Sequence, residues 1–341
     1  MQSQHMAMPT RRSFVRAFGA AGATGLFGMH SAWAADLSVG ALFAGRIDDR
    51  GFMESGWRGL ERARKEFGVK ATHIDRILPN KDALAAALTQ LAESGAQLVI
   101  AHGGQNNEAA AMVAQAFPKT RFVVTQGSVT AANLSSYDVL QEESAYLGGV
   151  LAALTTRTGV VGHMSGIRVR PGLKGRAAYA AGVRDTDSKV KLLTNFSGNQ
   201  DDNALSRRVA LAEIAGGADV IFTMLNAGRD GVTQACGEKG VRQIGNVIDW
   251  VKVDPKVFVA SAIADVSMGV FNAVRDVHGG RFKPGVIEKI GLADADAVRL
   301  SMAHDVPQAI RARVDKAAQD IRDGRIKMSE QFDGAEFPTP T

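Results

Sequence analysis

Residues 143–162, ESAYLGGVLAALTTRTGVVG, join two elements with almost no linker. Tyr146, Leu147, Val150, Leu151 and Leu154 make a largely apolar stretch of helical length. The Thr-Arg-Thr-Gly break at 156–159 ends it, and a short apolar run, 160–164, follows with strand character. A helix that feeds straight into a buried-type strand is one unit of an alternating α/β chain. The same rhythm runs outward in both directions. Upstream, strand runs at 37–43, 71–77, 97–101 and 121–125 alternate with helical stretches at 53–67, 81–93 and 108–117. In the 53–67 helix Trp57, Leu60, Ala63 and Phe67 form one stripe, and Pro118 closes the 108–117 helix. Downstream, helical stretches at 173–184, 204–215 and 230–238 alternate with strand runs at 189–195, 219–224 and 242–245. A strand at 257–260 and helices at 261–277 and 307–323 complete the chain.

Strands separated by helices of 10–15 residues form parallel sheets covered on both faces. The fold class is therefore α/β. The chain has 341 residues, enough for two cores, and the pattern occurs twice. Two doubly wound parallel-sheet lobes joined by a hinge are expected. The expected N-terminal lobe is 36–140 plus about 250–280, and the C-terminal lobe 141–249 plus about 281–330. Crossovers are expected near 126–142, 246–256 and 278–290, with residues 331–341 as a flexible tail.

Residues 9–35, PTRRSFVRAFGAAGATGLFGMHSAWAA, read as an export signal rather than as fold. Arg11 and Arg12 precede a weakly apolar run, too short and Gly-rich to span a membrane, and Ala32-Trp33-Ala34 is a small-x-small cleavage pattern. Residues 1–35 are expected to be a Tat-like signal peptide. With no cysteine near the cleavage point, a soluble periplasmic protein without a lipid anchor is expected. The net charge of +5 owes much to this segment, since the remainder has 37 basic and 35 acidic residues. That balance is not a nucleic-acid footprint. The lone cysteine, Cys236, cannot form an internal disulfide and reads as a small buried residue.

In open parallel sheets ligands bind beyond the carboxyl ends of the strands. The loops to watch are 44–52, 102–107, 126–128, 165–171, 196–202, 225–229 and 246–250. They are rich in Gly, Asn, Gln and Asp with a few aromatics, a set suited to a small polar or planar ligand. The ligand-binding candidates are Asp49, Phe52, Gly104, Gln105, Asn106, Gln126, Phe196, Asn226, Asp249 and Trp250. HGGQ (102–105) lacks the spacing of a nucleotide-phosphate loop, and the seven histidines are dispersed, so no cofactor or metal is expected. GIRVRPGLKGR (166–176) carries four basic residues and reads as a solvated loop. Asp48 and Asp49 form a carboxylate pair that no second pair answers, and no nucleophile stands beside a base. No catalytic residue is expected.

Taken together, four stretches resemble the basic-membrane-protein (BMP/PnrA-like) solute-binding proteins of ABC importers. They are DDRGFMESGWRGL (48–60), the quoted 143–162, GGADVIFTMLNAGRDGV (216–232) and VRQIGNVID (241–249). The resemblance spans roughly residues 36–290. It implies a type I periplasmic-binding-protein fold, hinge closure on a small molecule, and delivery to an inner-membrane permease. Many members bind purine nucleosides, with the base between aromatic rings and bonded by an Asp matching Asp49; Phe52 matches a ring, and Met53 stands where Asn is usual. The family's ribose-binding Asp aligns with Val247 and its Lys with Ala264. Each sugar hydroxyl left unpaired in a closed cleft costs about 1–3 kcal/mol. The ligand expected is therefore a purine without ribose, a free base, with a nucleoside as the alternative; Trp250 is expected to fill the vacated space and stack on the ring. A periplasmic nucleoside hydrolase is the rival reading, disfavoured because the Asp-rich opening DxDxxxDD is missing. A transcription-factor sensor domain would need a DNA-binding headpiece in place of the signal peptide. A monomer is expected.

Overall fold

The computed structural model describes residues 37–338; the segment 1–35, expected to be a signal peptide, and the last three residues of the expected tail lie outside them. The chain opens with β1 (Ser38–Phe43), α1 (Phe52–Phe67), β2 (Lys70–Ile74), α2 (Lys81–Glu93), β3 (Leu98–His102), α3 (Asn107–Ala116), β4 (Arg121–Thr125) and β5 (Leu134–Val139). It continues through α4 (Gln141–Thr155), β6 (Val160–Ser165), α5 (Arg170–Thr186), β7 (Lys191–Phe196), α6 (Asn203–Ala215), β8 (Val220–Met224), α7 (Arg229–Lys239), β9 (Arg242–Val247) and β10 (Phe258–Ala264). Last come α8 (Ser267–His278), β11 (Ile287–Ile290), β12 (Val298–Met302) and α9 (Gln308–Arg322).

Two six-stranded sheets result, ordered β11-β5-β4-β3-β1-β2 and β12-β10-β9-β8-β6-β7. The first is parallel throughout. The second is parallel except for its antiparallel edge strand β12. In each, the order reverses between the first and third strands of the lobe, so the switch points are β1/β3 and β6/β8. Each sheet is packed on both faces. Leu84, Leu88, Val99 and Ala110 form one core of the first lobe, and Phe43, Leu60, Val270 and Phe271 the other. The second lobe has a core on the α4 and α9 side and another under α6 and α7.

The division of the chain between lobes differs from the expectation. The stretch 250–280 is split, with β10 in the second sheet and α8 packed on the first lobe. Conversely β11, expected in the C-terminal lobe, closes the first sheet beside β5. The chain crosses at 139–141, 264–267 and 290–298. The stretch FVASAIA (258–264) is buried at every position, a central strand that its Ala and Ser content disguised as the start of a helix. The tail is docked as far as Phe337, whose N–H donates to Thr194 O at 2.7 Å. Glu336 pairs with Arg168 and Arg176, and Glu330 with Arg170.

Helices α4 and α5 cross so closely that side chains are excluded at the contact. A Cβ on Gly149 would fall 2.2 Å from Tyr179 O, and one on Gly182 equally close to Tyr146 O. The YLGG stretch of the quoted segment is thus a helix-crossing signature. Next to it, the chain's passage between lobes is fixed by buried charge. Lys174 Nζ, on α5, lies 3.1 Å from Asp138 Oδ2 on β5 and 2.5 Å from Glu142 Oε1 on α4. Arg170 Nη1 shares the same Asp138 oxygen at 3.1 Å.

Glu213 on α6 is fully buried, and among the described residues neither of its carboxylate oxygens has a hydrogen-bond partner. Burial pushes its pKa well above the ordinary 4.5, so the folded chain holds it protonated. The native state then binds more protons than the unfolded chain above the ordinary carboxyl pKa, and stability falls as pH rises, until the folded pKa is reached. Glu213→Gln removes this linkage. Its unfolding free energy in urea should match the parent near pH 4 and exceed it increasingly at higher pH, by about 1.4 kcal/mol for each pH unit between the two pKa values. A difference that does not change with pH contradicts this account of Glu213.

Candidate functional site

The switch points of the two sheets face a cavity of about 380 Å³. That is within the range of small-molecule sites, about 300–1,000 Å³. Its walls come from strand ends. The loop after β1 supplies Asp49, Phe52 and Met53, and the turn after β3 supplies Gln105. From the second lobe come 167–169 after β6, Met224 and Asn226 at β8, and Asn246 and Val247 at β9. Gln141, first residue of α4, lines it from the crossover itself.

Asp49 has two tasks. It is buried at the cavity wall, and its carboxylate accepts from the backbone N–H groups that open α1. Oδ1 takes Gly51 at 2.8 Å and Glu54 at 3.1 Å, and Oδ2 takes Met53 at 3.1 Å. A carboxylate there also complements the helix dipole. Burial nevertheless keeps its pKa above the usual value, against the pull of those three donors. Phe52 stacks one face on His102, with centroids 4.3 Å apart and planes inclined by 26°. Burial lowers the His102 pKa to about 4, so the ring is neutral. Its Nε2 lies 2.9 Å from Phe52 O and must donate there, leaving Nδ1 to accept from Thr125 Oγ1 at 2.7 Å. The imidazole thus fixes the orientation of Phe52.

The lips meet at the 49–52 loop. Phe52 N–H donates to Asn226 Oδ1 at 3.4 Å, and Arg50 pairs with Asp230. Charges around the cavity are spent on protein partners. Arg46 binds Asp48 at 2.9 Å, Arg168 binds Glu336, and Asp201 accepts from Ala227 N–H at 3.1 Å. What remains unspent is amide: Gln141 Nε2, Gln200 Oε1 and Asn246 Oδ1 have no partner among the described residues.

Four of the ten expected contacts, Asp49, Phe52, Gln105 and Asn226, line this cavity. The other six do not. Gly104 lies against Gln126, where a Cβ would sit 2.7 Å from the carbonyl oxygen. Asn106 is fully buried and donates to His102 O and Gly103 O, holding the turn. Gln126 clamps Val139, donating to its carbonyl at 2.9 Å and accepting from its N–H at 2.6 Å. Phe196 lies under the guanidinium of Arg168, 4.8 Å from its centroid, and Arg168 takes the place at the cavity. Asp249 and Trp250 face a neighbouring cavity of about 410 Å³. The Trp250 ring is covered by Arg229 at 3.4 Å, and its Nε1–H donates to Asn246 O at 2.9 Å. It does not fill the space beside Val247 in the cleft.

Cavity residues absent from the ten candidates include Gln141, Arg168, Gln200 and Asn246, the last three within loops that the strand-end rule named. The strand-end rule would have found Gln141 had the polar strand LSSYDV (134–139) been read as a strand. Val247 borders both cavities and is buried. Its φ is +67°, a left-handed conformation strained for a β-branched side chain, and such strain clusters at functional sites. Ala264 is buried at the end of β10, paired with Val298, and does not line the cleft.

Residues 37–330 match the family model of PnrA-like ABC transporter substrate-binding proteins. Among similar proteins, a nucleoside-binding protein BmpA of an ABC transporter from Lactococcus lactis is 27% identical over 305 residues, covering 83% of this chain and 86% of its own length. A purine-binding protein of Brucella abortus is 21% identical over 299 residues, covering 85% and 82%. Among solved structures, an ABC solute-binding protein from Aeropyrum pernix superposes with a TM-score of 0.77 at 21% identity, covering 87% of this chain and 94% of that one. That likeness confirms the two-lobed solute-binding fold, and the family match covers nearly all of the described residues. The chain belongs to the PnrA-like family of ABC transporter substrate-binding proteins.

Proposed function

We propose that this chain is the exported, periplasmic binding component of its importer, and that it closes on a neutral purine-type ring, a free nucleobase in preference to a nucleoside. It then hands the ring to an inner-membrane permease. The observation that carries the ligand class is the state of the cleft's polar groups. Arg46 and Arg168 at the wall are ion-paired and Asp49 and Asp201 accept backbone N–H groups, whereas three carboxamides keep atoms unspent among the described residues. Such a wall suits an uncharged ligand with several donors and acceptors on its edge. Phe52, locked by His102, offers a flat apolar surface beside them. The preference for a base rests on Val247, an apolar residue where the family resemblance calls for a sugar-binding Asp.

Closure follows from the lobes. A ligand bonded to Asp49 or Gln105 on one side and Asn226 or Asn246 on the other stabilises the closed form only. Export rests on the twin-arginine segment, Arg11 and Arg12. A second reading, a nucleoside ligand, is favoured by the name of the Lactococcus relative and by the adjoining cavity beyond Val247, which carries the carboxylate of Asp249.

A thermal-shift screen of the purified chain against adenine, guanine, hypoxanthine, xanthine and their nucleosides tests the proposal. A ligand at about 100 times its dissociation constant adds about 2.7 kcal/mol of stability. A raised midpoint with bases and none with nucleosides is the expected result. Equal or larger shifts with nucleosides favour the second reading, and no shift with either set overturns the purine assignment.

A further inference from the structure

Two glutamines stand at opposite ends of the same short connection, and the chain treats them differently. Gln126, just after β4, has both ends of its carboxamide bonded to Val139, at 2.6 and 2.9 Å. It fixes the last residue of β5, two positions before the crossover helix begins. Gln141 is the first residue of that helix. It is only 6% exposed, lines the cleft, and its Nε2 has no partner among the described residues. Asn246, 7% exposed near the end of β9, lines the same cavity, and its Oδ1 is unpaired among the described residues. A buried amide atom left unbonded has lost its hydration without a replacement and is costly to keep. Both residues line one cavity and each keeps such an atom unbonded, which marks a place where a partner from outside the chain belongs.

We infer that Gln141 and Asn246 read the polar edge of the ligand, and that Gln141 does so from the hinge. A carboxamide presents both a donor and an acceptor, so the pair matches a ring edge that carries a carbonyl beside an N–H, as in an oxo-purine. This inference rests on the purine reading and narrows it to the oxo-substituted bases. The position of Gln141 is fixed by its neighbours. Glu142 is held by the buried Lys174 ammonium, and Leu140 N–H donates to Ile290 O at 2.8 Å, on the strand before the third crossover. A bond to Gln141 is therefore a bond to the crossover that joins the two lobes.

The test is calorimetric titration of the purified chain and its Gln141→Leu and Asn246→Leu variants with hypoxanthine and with unsubstituted purine, alongside thermal unfolding of each without ligand. The parent should prefer hypoxanthine. Each variant should lose about 5- to 100-fold in hypoxanthine affinity and much less for purine, so the preference collapses. Without ligand, the variants' unfolding midpoints should equal or exceed the parent's, because the amide removed was unbonded. Gln126→Leu, by contrast, should lower the midpoint. If the variants keep the parent's preference, or lose ligand-free stability as Gln126→Leu does, the inference is overturned while the purine reading stands. If the parent binds neither ring, both fall.

Discussion

A single buried ammonium organises the junction of the two lobes. Lys174 reaches from α5 to Asp138 on the first sheet and Glu142 on the helix that leads into the second. Burial raises the Glu142 pKa, and the Lys174 charge opposes that rise. Removing one member of such a cluster leaves charge buried without a partner, a loss of about 3–5 kcal/mol. Around this point the backbone has little latitude. The glycine-mediated crossing of α4 and α5 fixes the helix axes, and the Gln126 clamp fixes the end of β5. The C-terminal tail adds Glu330 to the same cluster through Arg170. The floor of the cleft, where Gln141 sits, is consequently held by the charge cluster, the glutamine clamp and the helix crossing together.

From that floor the cleft opens between two switch points with contrasting chemistry. On the first-lobe side, a carboxylate and a neutral histidine are consumed in shaping the loop that presents Phe52. On the second-lobe side, unspent amides and apolar side chains meet, with Val247 in a strained conformation between two cavities. Asp, Asn or Gly would occupy that backbone conformation at lower cost than Val. The strain sits at the cleft wall rather than at a distant turn, and strained backbone conformations cluster at functional sites.

Much of the fold was legible because strand and helix periods differ and because the alternation occurred twice. The failures have physical causes. Strand β5 reads as polar, yet all six residues are buried, since Ser135 donates to Lys283 O, Ser136 to Val129 O, and Asp138 has Lys174. Sequence cannot reveal such distant partners. The edge strands β11 and β12 are short and carry charge, so neither showed a pattern. For the site, the strand-end rule located the right loops but not the right side chains. A loop Gln or Asn serves the loop or the ligand according to which backbone groups lie within reach. Gln126 found Val139 and was consumed, whereas Gln141 found nothing and stayed available. Trp250 likewise found Arg229 and Asn246.

The central claim is that an apolar Val247 makes this a cleft for a ring without its sugar. Competitive titration of hypoxanthine and inosine, on the parent chain and on Val247→Asp, tests it most directly. The account predicts that the parent prefers hypoxanthine by about tenfold or more, and that the variant moves the ratio toward inosine, since each restored hydroxyl contact contributes about 1–3 kcal/mol. A parent chain that binds inosine as tightly as hypoxanthine, with a ratio unmoved by Val247→Asp, contradicts it.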